Sequence, residues 1–107
     1  MGTFDRRREG FEKKFALDEE HRFKAEVRRN RLLGFWAAER LGITGDAAAA
    51  YAKEVVAADF EEPGDADVVR KVLSDLSAKG ATVTEQAIRA KMNDFTDRAL
   101  AELKAEK

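Results

Sequence analysis

The most regular feature of the chain is a series of stretches between residue 19 and residue 105 in which apolar residues recur at every third or fourth position. This spacing is typical of α-helices that bury one face. The regular stretches are interrupted at Gly42, at Pro63-Gly64 and at Gly80, and residues of these two types commonly end helices. No run alternates apolar and polar residues with period two, so no sheet is predicted. The pattern predicts four helices, over about residues 19–41, 45–60, 66–79 and 83–105.

The apolar stripe of each predicted helix identifies the face that we expect to be buried. Gly34 lies within the first stripe, although alanine would favour a helix there by about 1 kcal/mol. We interpret Gly34 as a packing notch that lets another backbone approach closely. Phe35 and Trp36 widen the same stripe and are interpreted as core residues. The predicted inward residues are Phe23, Val27, Asn30, Leu33, Gly34, Ala37 and Leu41, then Ala48, Tyr51, Ala52, Val55 and Val56, then Val69, Val72, Leu73 and Leu76, and finally Ile88, Met92, Phe95, Ala99 and Leu103.

Polar residues before each stripe are candidates for helix caps. Asp18, Thr44 and Asp65 each precede a predicted helix and can accept hydrogen bonds from its first backbone amides. Thr82 with Glu85 three residues later has the spacing of a capping box.

Short links between four amphipathic helices favour antiparallel neighbours. We therefore predict an all-α fold, with a compact four-helix bundle from residue 18 to residue 107.

The first 17 residues have a different pattern. Phe4, Phe11 and Phe15 fall within an arc of about 40° on a helix, among charged residues. An isolated helix of this length is only marginally stable in water, and a central glycine weakens it further. We expect residues 1–17 to be a flexible segment that becomes helical in a groove on a partner.

Composition narrows the class of protein. Of the 107 residues, 44% are hydrophobic and 38% are charged, which is too apolar for a disordered chain and too charged for a membrane protein. No cysteine is present, which excludes disulfides, a cysteine nucleophile and thiolate metal sites. The start of the chain shows no secretory signal, so we expect a cytoplasmic protein.

The charge is unevenly distributed along the chain. The net charge is −1, yet residues 1–31 contain ten Lys or Arg against seven acidic residues. A segment with this surplus of positive charge can bind an acidic surface. Its interleaved acidic residues argue against nucleic acid, which favours unbroken positive stripes.

The sequence gives only weak signals for a metal, nucleotide or catalytic site. His21 is the only histidine and is expected to be a solvated residue of the first helical turn, not a metal ligand. Neither a phosphate-binding glycine loop nor a nucleophile paired with a base is visible, so no enzyme is expected. An acidic cluster lacks the calcium-loop pattern and is explained by capping and solvation. Its members are Asp59, Glu61, Glu62, Asp65 and Asp67.

Three arginines near the middle of the first predicted helix can be interpreted in two ways. Arg28, Arg29 and Arg31 beside Trp36 could form a basic patch for nucleotides, nucleic acid or a partner protein. More often such residues are the solvated face of a helix, with their stems over apolar neighbours.

Several segments resemble a known family. The run from Arg28 to Gly42, RRNRLLGFWAAERLG, is similar to the signature of the zeta subunit, the inhibitor of the alphaproteobacterial F-type ATP synthase. The family was formerly catalogued as a domain of unknown function. Other segments that resemble it are Phe4-Asp5-Arg6, Lys14-Phe15-Ala16, Asp18-Glu19-Glu20, Asp59-Phe60-Glu61-Glu62-Pro63-Gly64-Asp65 and Ile88-Arg89-Ala90-Lys91-Met92.

The resemblance implies a four-helix, non-enzymatic inhibitor of ATP hydrolysis. In that family the N-terminal segment inserts at a catalytic alpha/beta interface beside the central stalk and blocks rotation, while the bundle anchors outside the head. The implied partners are the alpha, beta and gamma subunits, at the cytoplasmic side of the inner membrane and without membrane insertion. No cofactor is implied beyond weak adenine nucleotide binding, for which the chain has no motif. Carried over to this chain, the inhibitory residues are Phe4, Arg6, Arg7, Arg8, Phe11, Lys14 and Phe15.

Two other functions are compatible with the same pattern. The first is a helical nucleotide- or nucleic-acid-binding module that uses Arg28, Arg29 and Arg31. The second is an interaction scaffold with the same fold and no effect on the synthase. Strong salt-dependent binding to DNA or RNA would distinguish the first, because phosphate contacts release counterions.

Overall fold

The computed structural model describes residues 19–61 and 64–106, which form four helices and no strand. The prediction of an all-α bundle of four helices is confirmed. No helix in this part of the chain has both the length and the apolar character that a bilayer crossing requires. The helices are α1 (Glu19–Leu41), α2 (Gly45–Ala58), α3 (Ala66–Ala78) and α4 (Glu85–Ala105).

The predicted boundaries agree with the observed ones to within two residues. α1 has the predicted bounds, whereas α2 and α3 each end slightly earlier than predicted. Thr44 and Asp65 occupy the N-cap positions as predicted, but neither side chain accepts a capping hydrogen bond. Asp65 instead accepts a hydrogen bond from Arg89 at 3.3 Å. The predicted cap at Asp18 lies outside the described residues.

The predicted capping box of Thr82 and Glu85 is wrong, because α4 begins two residues later than predicted. Thr84, not Thr82, is the N-cap, and its hydroxyl accepts from the amide of Ala87 at 3.1 Å. The carboxylate of Glu85 accepts from Arg89 at 3.0 Å. Val83, just before the cap, is partly buried against the core, and an apolar contact at this position helps to fix where the helix begins. Apolar packing at Val83 therefore outweighs the local Thr82/Glu85 pattern.

α1 is the central helix of the bundle. It packs against each of the other three helices, while α2 and α4 do not pack against each other. Because α1 and α4 are about 35 and 32 Å long and α2 and α3 only about 20 Å, the long pair extends beyond the short pair.

The length difference divides the bundle into two ends. The four-helix end contains α2, α3, residues 33–41 of α1 and residues 85–95 of α4. The two-helix end consists of residues 19–31 of α1, residues 99–105 of α4 and the C-cap residue Glu106. Its small apolar cluster contains Ala25, Ala99 and Leu103. The core of the four-helix end consists of Leu33, Ala37, Ala38, Leu41, Ala48, Tyr51, Val55, Val68, Val69, Val72, Leu76, Ile88 and Met92.

Gly34 marks the closest approach of two backbones in the four-helix end. A Cβ atom at Gly34 would lie 2.6 Å from Cα of Ala52 and 3.0 Å from its Cβ. Real Cβ atoms do not approach a backbone atom so closely, so only glycine allows this contact between α1 and α2. The predicted packing notch is confirmed.

Two phenylalanines predicted to be buried are exposed. Phe23 is 52% exposed because it lies on the two-helix end, which α2 and α3 are too short to cover. Phe35 is 40% exposed because it lies about 160° around α1 from the buried Leu33. Trp36 is half-buried against the core, with the guanidinium of Arg40 4.3 Å from its ring centre. The other predicted inward residues are buried or half-buried.

Candidate functional site

The sequence predicts two sets of functional residues, and only one falls in the part of the chain that the structure describes. Arg28, Arg29 and Arg31 lie in α1, on the two-helix end. The residues predicted to be inhibitory lie outside the described residues and stay a prediction. They are Phe4, Arg6, Arg7, Arg8, Phe11, Lys14 and Phe15.

Arg28 connects α1 to the last turn of α4. Its guanidinium donates to both carboxylate oxygens of Glu106, at 2.6 and 3.3 Å, and to Glu102 at 3.4 Å. The hydrogen bond to Glu106 raises the pKa of Arg28, and the same bond lowers the pKa of the Glu106 carboxyl. A two-pronged contact of this kind fixes the orientation of both side chains. Arg28 therefore holds the two long helices together.

Arg29 points to a different neighbour. Its Nε donates to Oδ1 of Asn30 at 3.1 Å, and its Nη2 lies 3.7 Å from the carboxylate of Asp59. Asn30 is buried and donates to the same carboxylate at 3.0 Å. These bonds satisfy the polar group of a buried asparagine and attach the C-terminal end of α2 to α1. Arg28 and Arg29 are thus both engaged inside the molecule.

Arg31 is exposed and lines a groove at the two-helix end. The groove has a volume of about 530 Å³ and lies between the first turns of α1 and the last turns of α4. Lys24 lies on the same face of α1, two helical turns before Arg31, and contacts Glu20 only at 4.0 Å. The residues that line the groove are His21, Phe23, Lys24, Val27, Arg28, Arg31, Leu103 and Glu106.

An aromatic pair stands beside this groove. The ring centroids of Phe23 and Phe60 are 6.0 Å apart, and Phe60 is 62% exposed. Two contacting phenylalanines that both face solvent are unusual in a monomer, because contiguous exposed apolar surface favours association. Sequence reasoning does not find this pair, because periodicity predicts that Phe23 is buried and that Phe60 ends the second helix. The unequal lengths of the predicted helices carried the signal, since the longer α1 must extend beyond its shorter neighbours.

Within residues 19–61 and 64–106 no three potential metal-ligating side chains form a group. The acidic cluster is divided among separate contacts: Asp59 with Arg29 and Asn30, Asp65 with Arg89, and Asp67 with Arg70. Glu62 lies outside the described residues.

A second polar group lies in the four-helix end and is structural. The hydroxyl of Tyr51 donates to Asp75 at 2.8 Å, and Lys71 donates to Asp75 at 3.1 Å and to Glu54 at 3.2 Å. Burial, followed by the hydrogen bond to Asp75, raises the pKa of Tyr51 above its ordinary range. These contacts join α2 to α3 and leave the tyrosine protonated at neutral pH.

The two-helix end is the surface best suited to contact another molecule, because it combines the groove, the exposed Lys24 and Arg31, and the aromatic pair.

Comparison with known proteins adds two matches. The family described as ATPase inhibitor subunit zeta matches residues 1–102. Among solved structures, a protein determined by solution NMR is 54% identical, with a TM-score of 0.70, over 79% of this chain and 96% of that one. No curated protein matches the chain.

Proposed function

The chain belongs to the ATPase inhibitor subunit zeta family, and on that premise we propose that it inhibits ATP hydrolysis by F-type ATP synthase without chemistry of its own. Membership in this family implies the inhibitory role and the association with the synthase. The finer proposal is that residues 1–17 insert at a catalytic alpha/beta interface and stop rotation of the central stalk.

The observation that carries the proposal is the extent of the family match. It covers residues 1–102, so it includes the front segment as well as all but the last turn of the bundle. The front segment has one apolar seam, made of Phe4, Phe11 and Phe15, between charged flanks. A seam of this kind fits a hydrophobic groove on a partner.

The free energies involved predict that the front segment alone binds its partner only weakly. Burying three phenylalanines stabilises a complex by roughly 5 to 9 kcal/mol, whereas fixing a segment of this kind in one conformation costs about 2 to 5 kcal/mol. A bundle that binds the same partner raises the local concentration of the segment, which converts weak insertion into effective inhibition. The proposal therefore needs both parts of the chain.

In the proposed complex the inserted segment is a steric obstacle. Phe4, Phe11 and Phe15 contact the walls of the alpha/beta interface, and Arg6, Arg7, Arg8 and Lys14 face carboxylates or the gamma subunit. A helix held between subunits that must move relative to each other blocks the rotary cycle. Through the synthase the chain sits at the cytoplasmic surface of the inner membrane.

The nucleotide- or nucleic-acid-binding alternative gains no support from the arginines. Arg28 and Arg29 are held by Glu102, Glu106 and Asp59, which leaves Arg31 as the exposed member of the three. Phosphate recognition generally uses several convergent cations.

The test measures ATP hydrolysis by the cognate synthase head during turnover, with increasing amounts of the full chain or of variants. We expect the unchanged chain to inhibit at micromolar dose. Phe11→Ala/Phe15→Ala, and a chain lacking residues 1–17, should lose inhibition but retain helical circular dichroism and a cooperative melt. Phe35→Ala is the matched control, because it removes an exposed phenylalanine from the bundle.

Two results would contradict the proposal at different levels. Hydrolysis unaffected by the unchanged chain would remove the inhibitory function. Full inhibition by the chain that lacks residues 1–17 would leave the function in place and eliminate the insertion mechanism.

A further inference from the structure

We infer that Phe23 and Phe60, together with Lys24 and Arg31, form a second docking surface of this chain. Its partner is an acidic protein surface at the rim of the cleft that receives residues 1–17. This inference rests on the proposed function, because it uses the insertion of that segment to locate the partner. We call these four residues the rim surface.

The rim surface combines features that a contact site needs. Phe23 and Phe60 are in contact with each other, yet both remain more than half exposed. Phe23 also lines the 530 Å³ groove, with Val27 and Leu103 as further apolar lining. A partner side chain that enters this groove would meet apolar groups on several sides, an arrangement that concentrates binding energy in a few residues.

The covalent chain fixes where the rim surface must lie in the complex. Glu19 lies four positions after Phe15, and a fully extended chain covers at most about 14 Å over these four steps. The helical turn from Glu19 to Phe23 adds about 6 Å. With Phe15 in the cleft, Phe23 is therefore within about 20 Å of it. A partner surface that contacts Phe23 and Phe60 would then lie at the rim of that same cleft.

Charge indicates the chemistry of that rim. Arg28 is occupied by Glu102 and Glu106, so it supports the fold of the groove. Arg31 is exposed, and the contact of Lys24 with Glu20 is long and solvent-exposed. A partner carboxylate can replace such a weak surface pair at little cost. Lys24 and Arg31 therefore favour a rim with carboxylates beside an apolar side chain.

The experiment uses the full chain and the cognate synthase head, with direct binding and inhibition measured on the same samples. Phe23→Ala/Phe60→Ala should weaken both by at least about tenfold, because exposed aromatic anchors contribute strongly when they become buried. Lys24→Glu/Arg31→Glu should also weaken binding, and its effect should shrink as salt is raised. All four positions are partly or fully exposed, so the melting curves should stay close to that of the unchanged chain.

Matched controls separate the rim surface from the rest of the exposed surface. Phe35→Ala removes an exposed phenylalanine about 18 Å along α1, and Lys53→Glu reverses an exposed cation on α2. Both should bind and inhibit within about twofold of the unchanged chain, since an isolated surface charge or a scattered apolar residue away from the rim surface contributes little.

The outcomes distinguish this inference from the function on which it rests. If the unchanged chain inhibits and Phe23→Ala/Phe60→Ala inhibits equally well, the rim surface is not a docking site and the proposed function stands. If the unchanged chain does not inhibit, the proposed function itself fails. Stronger inhibition by the double variant would indicate that the front segment covers the pair in the free chain. Dimers of the unchanged chain that the double variant cannot form would assign the surface to a second copy. Either result overturns the inference.

Discussion

The two ends of the bundle use the same helix α1 in opposite ways. In the four-helix end, Leu33, Ala37 and Ala38 are fully buried and Gly34 touches the backbone of α2. In the two-helix end, the same helix buries only Ala25 in an apolar cluster and exposes Phe23. One end is therefore restricted by internal packing, and the other has free apolar and cationic surface.

This difference separates stability from recognition within one helix. Substitutions in the four-helix end should act mainly on the free energy of unfolding, because packing there tolerates little change in volume. Substitutions on the exposed face of the two-helix end should act mainly on binding, because few internal contacts are lost. Three predictions test the stability side of this division.

The largest expected effect comes from shortening one leucine at each end. Leu33 is completely buried among residues of α1 to α4, whereas Leu103 is 9% exposed in a three-residue cluster beside the groove. Leu33→Ala should reduce the free energy of unfolding by about 3 to 4 kcal/mol, and Leu103→Ala by about 1 to 2 kcal/mol, since a cavity open to solvent costs less. Urea unfolding followed by circular dichroism measures both. Equal losses would mean that the two ends are equally packed, and the comparison would be wrong.

A smaller effect is expected from adding one methyl group at Gly34. Alanine improves helix propensity by about 1 kcal/mol, but its Cβ would lie 2.6 Å from Cα of Ala52. Moving the two helices apart should outweigh the gain, and we expect Gly34→Ala to lower the free energy of unfolding by about 1 to 3 kcal/mol.

A second substitution tests whether the backbone contact is the cause. Ala52→Gly removes the side-chain atom at 3.0 Å but leaves the backbone atom at 2.6 Å. The double variant should therefore be no more stable than Gly34→Ala alone. Recovery of stability in the double variant would place the clash on the side chain of Ala52 instead.

The sequence predicted the four-helix end far better than the two-helix end. Periodicity placed Val72, Leu76, Ile88 and Met92 correctly, because each has partner helices on its inner side. The same periodicity placed Phe23 in the core, although the helices that would cover it end too soon. A stripe indicates which face is apolar, and only the lengths of the neighbouring helices decide whether that face is covered.

The candidate site was harder to predict because its parts come from distant segments. Phe60 reaches Phe23 across 37 positions, and Arg28 meets Glu106 across 78. Single-helix patterns do not contain such pairings. Grouping Arg28, Arg29 and Arg31 by their closeness in sequence also hid that Arg28 and Arg29 point to different helices.

The smallest of the stability effects concerns polar contacts at the two ends and depends on pH. The hydroxyl of Tyr51 donates to Asp75 inside the four-helix end, and its pKa is raised in the folded protein. We expect Tyr51→Phe to cost about 1 kcal/mol at neutral pH. The stabilisation from a group with a raised pKa is complete below its unfolded pKa of about 10 and decreases as pH rises toward the folded value. The unfolding free energies of the two proteins should therefore converge above about pH 10.

Glu106→Gln is the corresponding substitution at the two-helix end. Its effect on the free energy of unfolding should change at acidic pH, whereas that of Tyr51→Phe should change at alkaline pH. The pKa of Glu106 is lowered by Arg28, so its contribution is present above the ordinary carboxyl pKa and is lost as pH falls through the folded value. Because the pair lies in solvent, high salt should remove most of its effect, whereas the Tyr51 hydrogen bond should persist. Melting curves of both variants across pH, at low and high salt, make this comparison. A Glu106 effect that is as large as that of Tyr51 and insensitive to salt would show that the two-helix end is held as firmly as the four-helix end.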